Sequence, residues 1–241
     1  MGGKVSVIMP AYNAAGCIEA SVGSVLKQSY ENLELLVIDD GSRDATPRIL
    51  AELAEKDSRL RPITVENGGP AMARNRGLDA MDRSSEFVMF LDADDALLPG
   101  ALACAVAGAK DGAELVLMGF TIVSADGSRR DYCEPEQSLT PDNLGGALAD
   151  LYKANLLNQV WGKLYKAELL KDVRFKDYRW GEDRLFVEMQ LATPEQAVEA
   201  TLGRGTCKVV SKTCDMWECE CGKAWWHGGA PNYCPNCGAK M

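Results

Sequence analysis

The sequence predicts an α/β fold, a mostly parallel sheet flanked by helices, with a small cysteine-rich module appended at the C-terminus. Three observations carry this expectation. Short apolar runs alternate with amphipathic stretches through the first hundred or so residues, the pattern of parallel strands joined by right-handed crossovers. Two of the runs end in clustered carboxylates, Asp39-Asp40 and Asp92-Ala93-Asp94-Asp95, and open α/β sheets place ligands at the carboxyl ends of their strands. Six of the nine cysteines crowd into the last 35 positions, which in a reducing compartment points to a metal module before disulfides.

Val5 to Met9, closed by Pro10, has the length and β-branching of a buried strand. Ile18, Val22, Val25 and Leu26 then recur at helical spacing. Leu33 to Ile38 is the next strand, and Thr46-Pro47 reads as an N-cap followed by proline at the first helical position, with Ile49, Leu50 and Leu53 facing inward. Leu60 to Val65 is a weaker strand. Asn67-Gly68-Gly69-Pro70 opens a helix reaching about Met81, and Phe87 to Leu91 is a strand buried on both faces. This first half, residues 1–99, reads as a Rossmann-like nucleotide-binding half. In the second half, residues 100–203, a helix is expected over Ala101 to Ala109 and a long strand over Glu114 to Ser124 with a hairpin at Asp126-Gly127-Ser128. A helix from Pro141 to Tyr152, a short strand over Val160 to Tyr165 and a helical turn over Ala167 to Lys171 follow. Trp180-Gly181-Glu182-Asp183 then feeds a helix whose apolar residues are Leu185, Phe186, Met189 and Leu191. Gly203-Arg204-Gly205 reads as a linker into the tail, residues 204–241.

Apolar content of 46% and charged content of 25% are those of an ordinary soluble globular chain. A net charge of −9 argues against general affinity for nucleic acid or anionic membranes. The best apolar run, Leu115 to Val123, falls far short of the roughly 20 residues of a membrane span. Met-Gly-Gly-Lys followed directly by a strand lacks the apolar core of a signal peptide. A cytoplasmic protein is expected, associated at most peripherally with a membrane through its partners.

The three carboxylates Asp92, Asp94 and Asp95 within four positions repel one another unless a cation lies between them. Magnesium or manganese, bound by one or two carboxylates together with substrate phosphates, suits so short a cluster; a solvated acidic turn before a helix is the competing account. Gly68 and Gly69 offer backbone amides, and Arg74, Asn75 and Arg76 further donors, toward a phosphorylated ligand, although Arg74 and Arg76 taken alone read as a solvated helix face. Neither G-x-G-x-x-G nor G-x-x-x-x-G-K-[ST] occurs, which disfavours a dinucleotide oxidoreductase or a P-loop phosphotransferase.

Four segments in order, Val5 to Asn13, Val37-Ile38-Asp39-Asp40-Gly41-Ser42, Ala73-Arg74-Asn75-Arg76-Gly77 and Leu91-Asp92-Ala93-Asp94-Asp95, closely resemble family 2 glycosyltransferases of the GT-A fold. The likeness covers roughly residues 4 to 192 and continues through Val160 to Tyr165 and Trp180 to Asp183. It implies a nucleotide pocket lined by Pro10, Ala11 and Tyr12, with Asp40 binding a base, typically uracil. It implies that Asp92, Ala93, Asp94 and Asp95 form the D-x-D region, contacting ribose and holding Mn²⁺ or Mg²⁺ through Asp94 and Asp95. Arg74 and Asn75 would join the donor site, and Trp161, Lys163 and Trp180 the acceptor side. Asp183 would be the general base, with adjacent Glu182 the rival and helix capping the structural alternative for both. The implied partners are a nucleotide-sugar donor and a glycan or lipid-linked acceptor, and the implied outcome is inversion by single displacement. Only about ten residues separate the Glu-Asp helix from Gly203, so the acceptor half is short for this family.

In the tail, Cys234-Pro235-Asn236-Cys237-Gly238 has the form of a zinc knuckle. The second knuckle is irregular: Cys221-Gly222 fits its end, but Glu218 stands where C-x-x-C requires cysteine. The expected structural Zn²⁺ set is Cys219, Cys221, Cys234 and Cys237, with Cys214 the substitute and His227 a further candidate. A disulfide-linked tail is the alternative. Dimerisation, docking of a protein partner and nucleic-acid contact are open roles, the last disfavoured by four lysines and no arginine after Gly205 against three acids. A GT-A relic serving as a zinc-ribbon assembly module, and a nucleotidyltransferase, are the rival functions.

Overall fold

The computed structural model describes residues 2–109, 113–124, 126–133, 151, 156–176, 183 and 186–187, together with the backbone of strand residues 209–213, 216–219 and 224–225. The chain divides into two compact units, Met1–Val187 and Glu188–Met241.

In the first unit, strands β1 (Val5–Ala11), β2 (Leu33–Asp39), β3 (Leu60–Thr64) and β4 (Phe87–Phe90) alternate with helices α1 (Ile18–Leu26), α2 (Thr46–Ala54) and α3 (Pro70–Ala80). Helix α4 (Ala101–Gly108) follows, then β5 (Leu115–Leu117), β6 (Phe120–Val123), β7 (Arg129–Tyr132), β8 (Lys163–Lys166) and a 3₁₀ turn at Ala167–Leu170. The main sheet runs in the order β3-β2-β1-β4-β8-β5. Strands β1 to β4 are parallel; β8 pairs antiparallel with both β4 and β5. Every residue of β2 and β4 is buried, as continuous apolar runs in a sheet covered on both sides must be.

Period-2 alternation sorts the side chains into two layers. Val5, Val7 and Met9 of β1 join Leu35, Val37, Phe87 and Met89 beneath α1, α2 and α4 through Ile18, Val22, Leu50 and Leu102. Ile8, Leu36, Ile38, Val88 and Phe90 face the other way, against Ala71, Ala73 and Leu78 of α3 and the aromatic residues Tyr165, Phe175 and Phe186. The register places Ala11 beside Asp39, and Leu91 N–H donates to Ile8 O, so β1, β2 and β4 end along one edge. Both acidic segments therefore open there.

The long strand expected over Glu114 to Ser124 is instead two strands. Leu115–Leu117 adds to the main sheet, whereas Phe120–Val123 pairs with β7 across the expected hairpin at residues 126–128. Gly119 lies at the switch, where an added Cβ would lie 2.9 Å from Tyr132 O. The strand expected from Val160 begins at Lys163, and the helical turn after it is 3₁₀. Thr46 is not an N-cap. It is the first residue of α2; its N–H donates to Asp44 Oδ1 and its hydroxyl accepts from Ala14 N–H, tying the β1 and β2 loops together. The expected helix from Pro141 lies outside the described residues apart from Leu151, which is helical. Among the described residues no helix is long and apolar enough to cross a membrane.

The second unit contains a three-stranded antiparallel sheet, β11 (Ala224–Trp225), β10 (Met216–Cys219) and β9 (Val209–Thr213), with an irregular register at Glu218/Cys219. Cys219 ends β10; Cys214, Cys221, His227, Cys234 and Cys237 lie outside the described residues.

Candidate active site

The carboxyl edge of β1, β2 and β4 is organised by Arg74. On α3, Ala71, Arg74, Asn75 and Leu78 follow i, i+3, i+4, i+7 spacing and all are buried, so Arg74 and Asn75 occupy the apolar face of their helix. The Arg74 guanidinium donates through Nη1 to Asp183 Oδ1 at 2.6 Å and through Nη2 to Asp92 Oδ1 at 2.9 Å. It lies over the Phe175 ring, 5.4 Å from Cζ to centroid, and its Nε has no hydrogen-bond partner among the described residues. Asn75 exchanges two hydrogen bonds of 2.9 Å with the backbone of Phe175. Phe175 stacks on Phe186, and both meet Phe90 edge-on. These rings exclude water from one side of the guanidinium, which strengthens its ion pairs.

The acidic loop after β4 is held by α1 and by Gln28 just past its end. Ser21 donates to Ala93 O, Ser24 accepts from Leu97 N–H, and Gln28 bonds both Leu98 O and Leu102 N–H. Asp94 is exposed and Asp95 half-buried. Burial, reinforced by the charges of Asp92 and Asp94, pushes the Asp95 carboxyl up to about 6. That repulsion is what a divalent cation relieves, so the donor chemistry of Asp94 and Asp95 fits such an ion, completed by substrate phosphates. Among the described residues no group of three or more His, Cys, Asp or Glu side chains is arranged as a complete protein cage.

The two acids after β2 differ sharply. The N–H groups of Gly68 and Gly69 each donate at 2.8 Å to one oxygen of Asp40, and Asn67 donates to the Asp40 carbonyl. The glycine amides expected to face a phosphate are therefore directed at Asp40 instead: Gly69 has φ of 85°, which turns its amide back toward β2. Asp39 is 1% exposed; Oδ1 accepts from Ser42 N–H, while Oδ2 has no hydrogen-bond partner among the described residues. The resemblance assigns the base to Asp40, and no signal in the sequence marks Asp39 as the acid whose buried oxygen none of the described residues bonds. A cleft of about 200 Å³ opens beside Asp40, Asn67, Gly68, Met72 and Arg76. Pro10 and Ala11 end β1, and Tyr12 stands half-exposed beyond them.

On the other flank, Lys163 is 1% exposed and donates to the carbonyls of Gln159 and Trp161. Burial pushes its ammonium down from 10.5 to about 7, against the opposing pull of the Asp183 charge. Tyr165, also buried, donates to Val160 O. Trp161 meets Phe120 edge-on at 4.8 Å. Trp180 and Glu182 lie outside the described residues. Asp92, Arg74, Asp183 and Lys163 thus gather around one edge.

Residues 6–173 match the family Glycosyl transferase family 2. The chain belongs to that family. It carries a glycosyltransferase domain with a GT-A-like fold. It is 32% identical over 199 residues to Glycosyltransferase GlyA of Streptococcus pneumoniae, covering 75% of this chain and 27% of that protein. It is 31% identical over 189 residues to the GalNAc(5)-diNAcBac-PP-undecaprenol beta-1,3-glucosyltransferase of Campylobacter jejuni, covering 75% and 57%. Among solved structures, S. aureus TarS 1-349 in complex with UDP-GlcNAc superposes with a TM-score of 0.63 at 29% identity, covering 78% of this chain and 53% of that one. The chain thus spans between 27% and 57% of the length of these relatives.

Proposed function

We propose that this glycosyltransferase family 2 chain moves a sugar from a nucleoside diphosphate sugar, a UDP-sugar, to a hydroxyl acceptor in bacterial cell-surface glycan synthesis, with inversion and with a divalent metal. The observation that carries this reading is the convergence of Asp183, from the acceptor half, and Asp92, from the donor half, on one buried guanidinium. The relatives' names, a glucosyltransferase of an undecaprenol-linked glycan and a UDP-GlcNAc complex, support the donor and acceptor classes.

The chemistry follows from position. The Oδ2 atom of Asp39, partnerless among the described residues, is an acceptor suited to a nucleobase N–H, while Asp40 shapes the loop beside it. Pro10, Ala11 and Tyr12 border that pocket, and Asp92 reaches the ribose. A divalent cation, when bound, would neutralise charge developing on the departing diphosphate, and Asp94 and Asp95 are the residues that would hold it. Asp183 accepts the proton of the attacking hydroxyl, which approaches the anomeric carbon from the face opposite the diphosphate. Lys163 fixes the turn bearing Trp161 beside the acceptor approach. In the C-terminal unit, Cys219, Cys221, Cys234 and Cys237 would form a zinc ribbon, to which the three-stranded antiparallel sheet is suited.

Calorimetry with UDP and Mn²⁺ tests the donor reading: metal-dependent binding is expected, lost in Asp94→Ala. A chain that binds no UDP would sink it. Asp183→Asn should still bind UDP but lose sugar transfer at least about a hundredfold; retained turnover would move the base to Glu182.

A further inference from the structure

Arg74 bonds residues assigned to both substrates: Asp92 lies 18 positions away, on the donor side, and Asp183 lies 109 positions away, on the acceptor side. The guanidinium is 4% exposed, whereas the two carboxylates it holds are 29% and 21% exposed. The cation thus lies behind, and both acids face the open edge. The planar fork of a guanidinium serves two acceptors at fixed angles, which a lysine ammonium does not reproduce. Phe175 flanks the guanidinium; the paired Asn75–Phe175 hydrogen bonds fix its backbone, and Phe186 and Phe90 pack against its ring. The guanidinium therefore has little room to follow one acid away from the other. Whatever changes the charge or position of one carboxylate changes the hold on its fellow.

We propose that Arg74 is a positioning residue that couples the two substrate sites, so that donor engagement of Asp92 tightens the guanidinium on Asp183 and sets the base in place. This rests on the glycosyltransferase reading above. Described groups that act on Asp183 include Arg74 from α3 and Lys163 and Tyr165 from β8, and of these Arg74 also bonds Asp92. A donor hydroxyl bonded to Asp92 draws on the same carboxylate charge that holds Nη2, which leaves Nη1 the stronger arm. Coupling of this kind is reciprocal: loss of Asp183 must weaken donor binding by the same factor.

The test needs neither the natural acceptor nor turnover. UDP affinity in the presence of Mn²⁺ is measured by calorimetry on the full chain for wild type, D183N, R74Q and R74Q/D183N. D183N is expected to weaken UDP by a factor of about two or more, the lower bound for directly coupled neighbours. In the R74Q background the same substitution should change nothing. R74K, which keeps the charge but not the fork, guards against misfolding of R74Q and should likewise abolish the effect of D183N. UDP binding by D183N equal to wild type would overturn the coupling while leaving the donor reading intact. So would an equal effect of D183N with and without Arg74. Loss of UDP binding in both folded Arg74 variants would also overturn it, by making Arg74 a direct donor ligand. Absence of UDP binding by wild type would overturn the underlying functional reading itself.

Discussion

Glu34 shows how a single buried charge is made tolerable. It is 4% exposed at the start of β2; Ser6 Oγ and Asp82 N–H donate to Oε1, and Arg61 Nη1 to Oε2. Burial by itself raises its pKa, but the hydrogen bonds from Ser6, Asp82 and Arg61, with the charge of Lys4, outweigh burial and hold the carboxyl below its usual 4.5. A folded-state value below the unfolded one stabilises the fold fully above about pH 4.5, and this is lost as pH falls through the folded value. Glu34→Gln should therefore cost about 2 kcal/mol in urea unfolding at neutral pH, with the gap to wild type narrowing below pH 4.5. A gap independent of pH would show that the charge is not what matters. Arg74 teaches a different lesson at the same scale. By itself its place on α3 reads from sequence as a solvated helix face, yet the side chain is buried together with Ala71 and Leu78. Neither that burial nor the identity of its two acids is legible in the sequence, because Asp183 reaches it through tertiary contact 109 positions away.

Among the elements, α3 lies close against β1, and glycine permits it. An added Cβ at Gly77 would lie 2.3 Å from Ile8 Cγ2. Alanine at a helix interior normally gains up to about 1 kcal/mol over glycine, but overpacking costs about 1–3 kcal/mol. Gly77→Ala should thus lower thermal stability, and an unchanged or raised melting temperature would mean that α3 can lift off the sheet freely. Helix α1 has a second role beyond covering the sheet, because its Ser21 and Ser24, with Gln28 just past its end, fix the backbone of the acidic loop. Polar residues on an amphipathic helix read from sequence as solvent-facing, so this role was not legible. The strand pattern was legible through β4, where runs are continuous and bounded by turns. It failed at Glu114 to Ser124, because an apolar run does not reveal that the chain changes sheets at Gly119.

At the scale of the molecule, the chain divides into two compact units. The first holds the transferase domain and the second the cysteine-rich tail. If the tail is a zinc ribbon, metal analysis of reduced protein should find about one zinc per chain, and a chelator should release it together with the tail's tertiary structure. Substantially less than one zinc would refute the four-cysteine site. The main sheet also explains why the site forms where it does. Four parallel strands end together, and β8 returns antiparallel to bring the Gln159–Lys163 segment to the β4 flank.

The sequence alone determined the α/β class, the parallel half with its order of strands and helices, the acids at two strand ends and the family those motifs resemble. Such features are local: apolar period, turn residues and short motifs are written in consecutive positions. Only the tertiary structure decided how the acids are partnered among the described residues. It turned the Gly68 and Gly69 amides onto Asp40, left Asp39 with a buried oxygen that none of those residues bonds, and set one guanidinium between Asp92 and Asp183. Hydrogen bonds and ion pairs between distant segments depend on how the layers close, and no spacing along the chain encodes them.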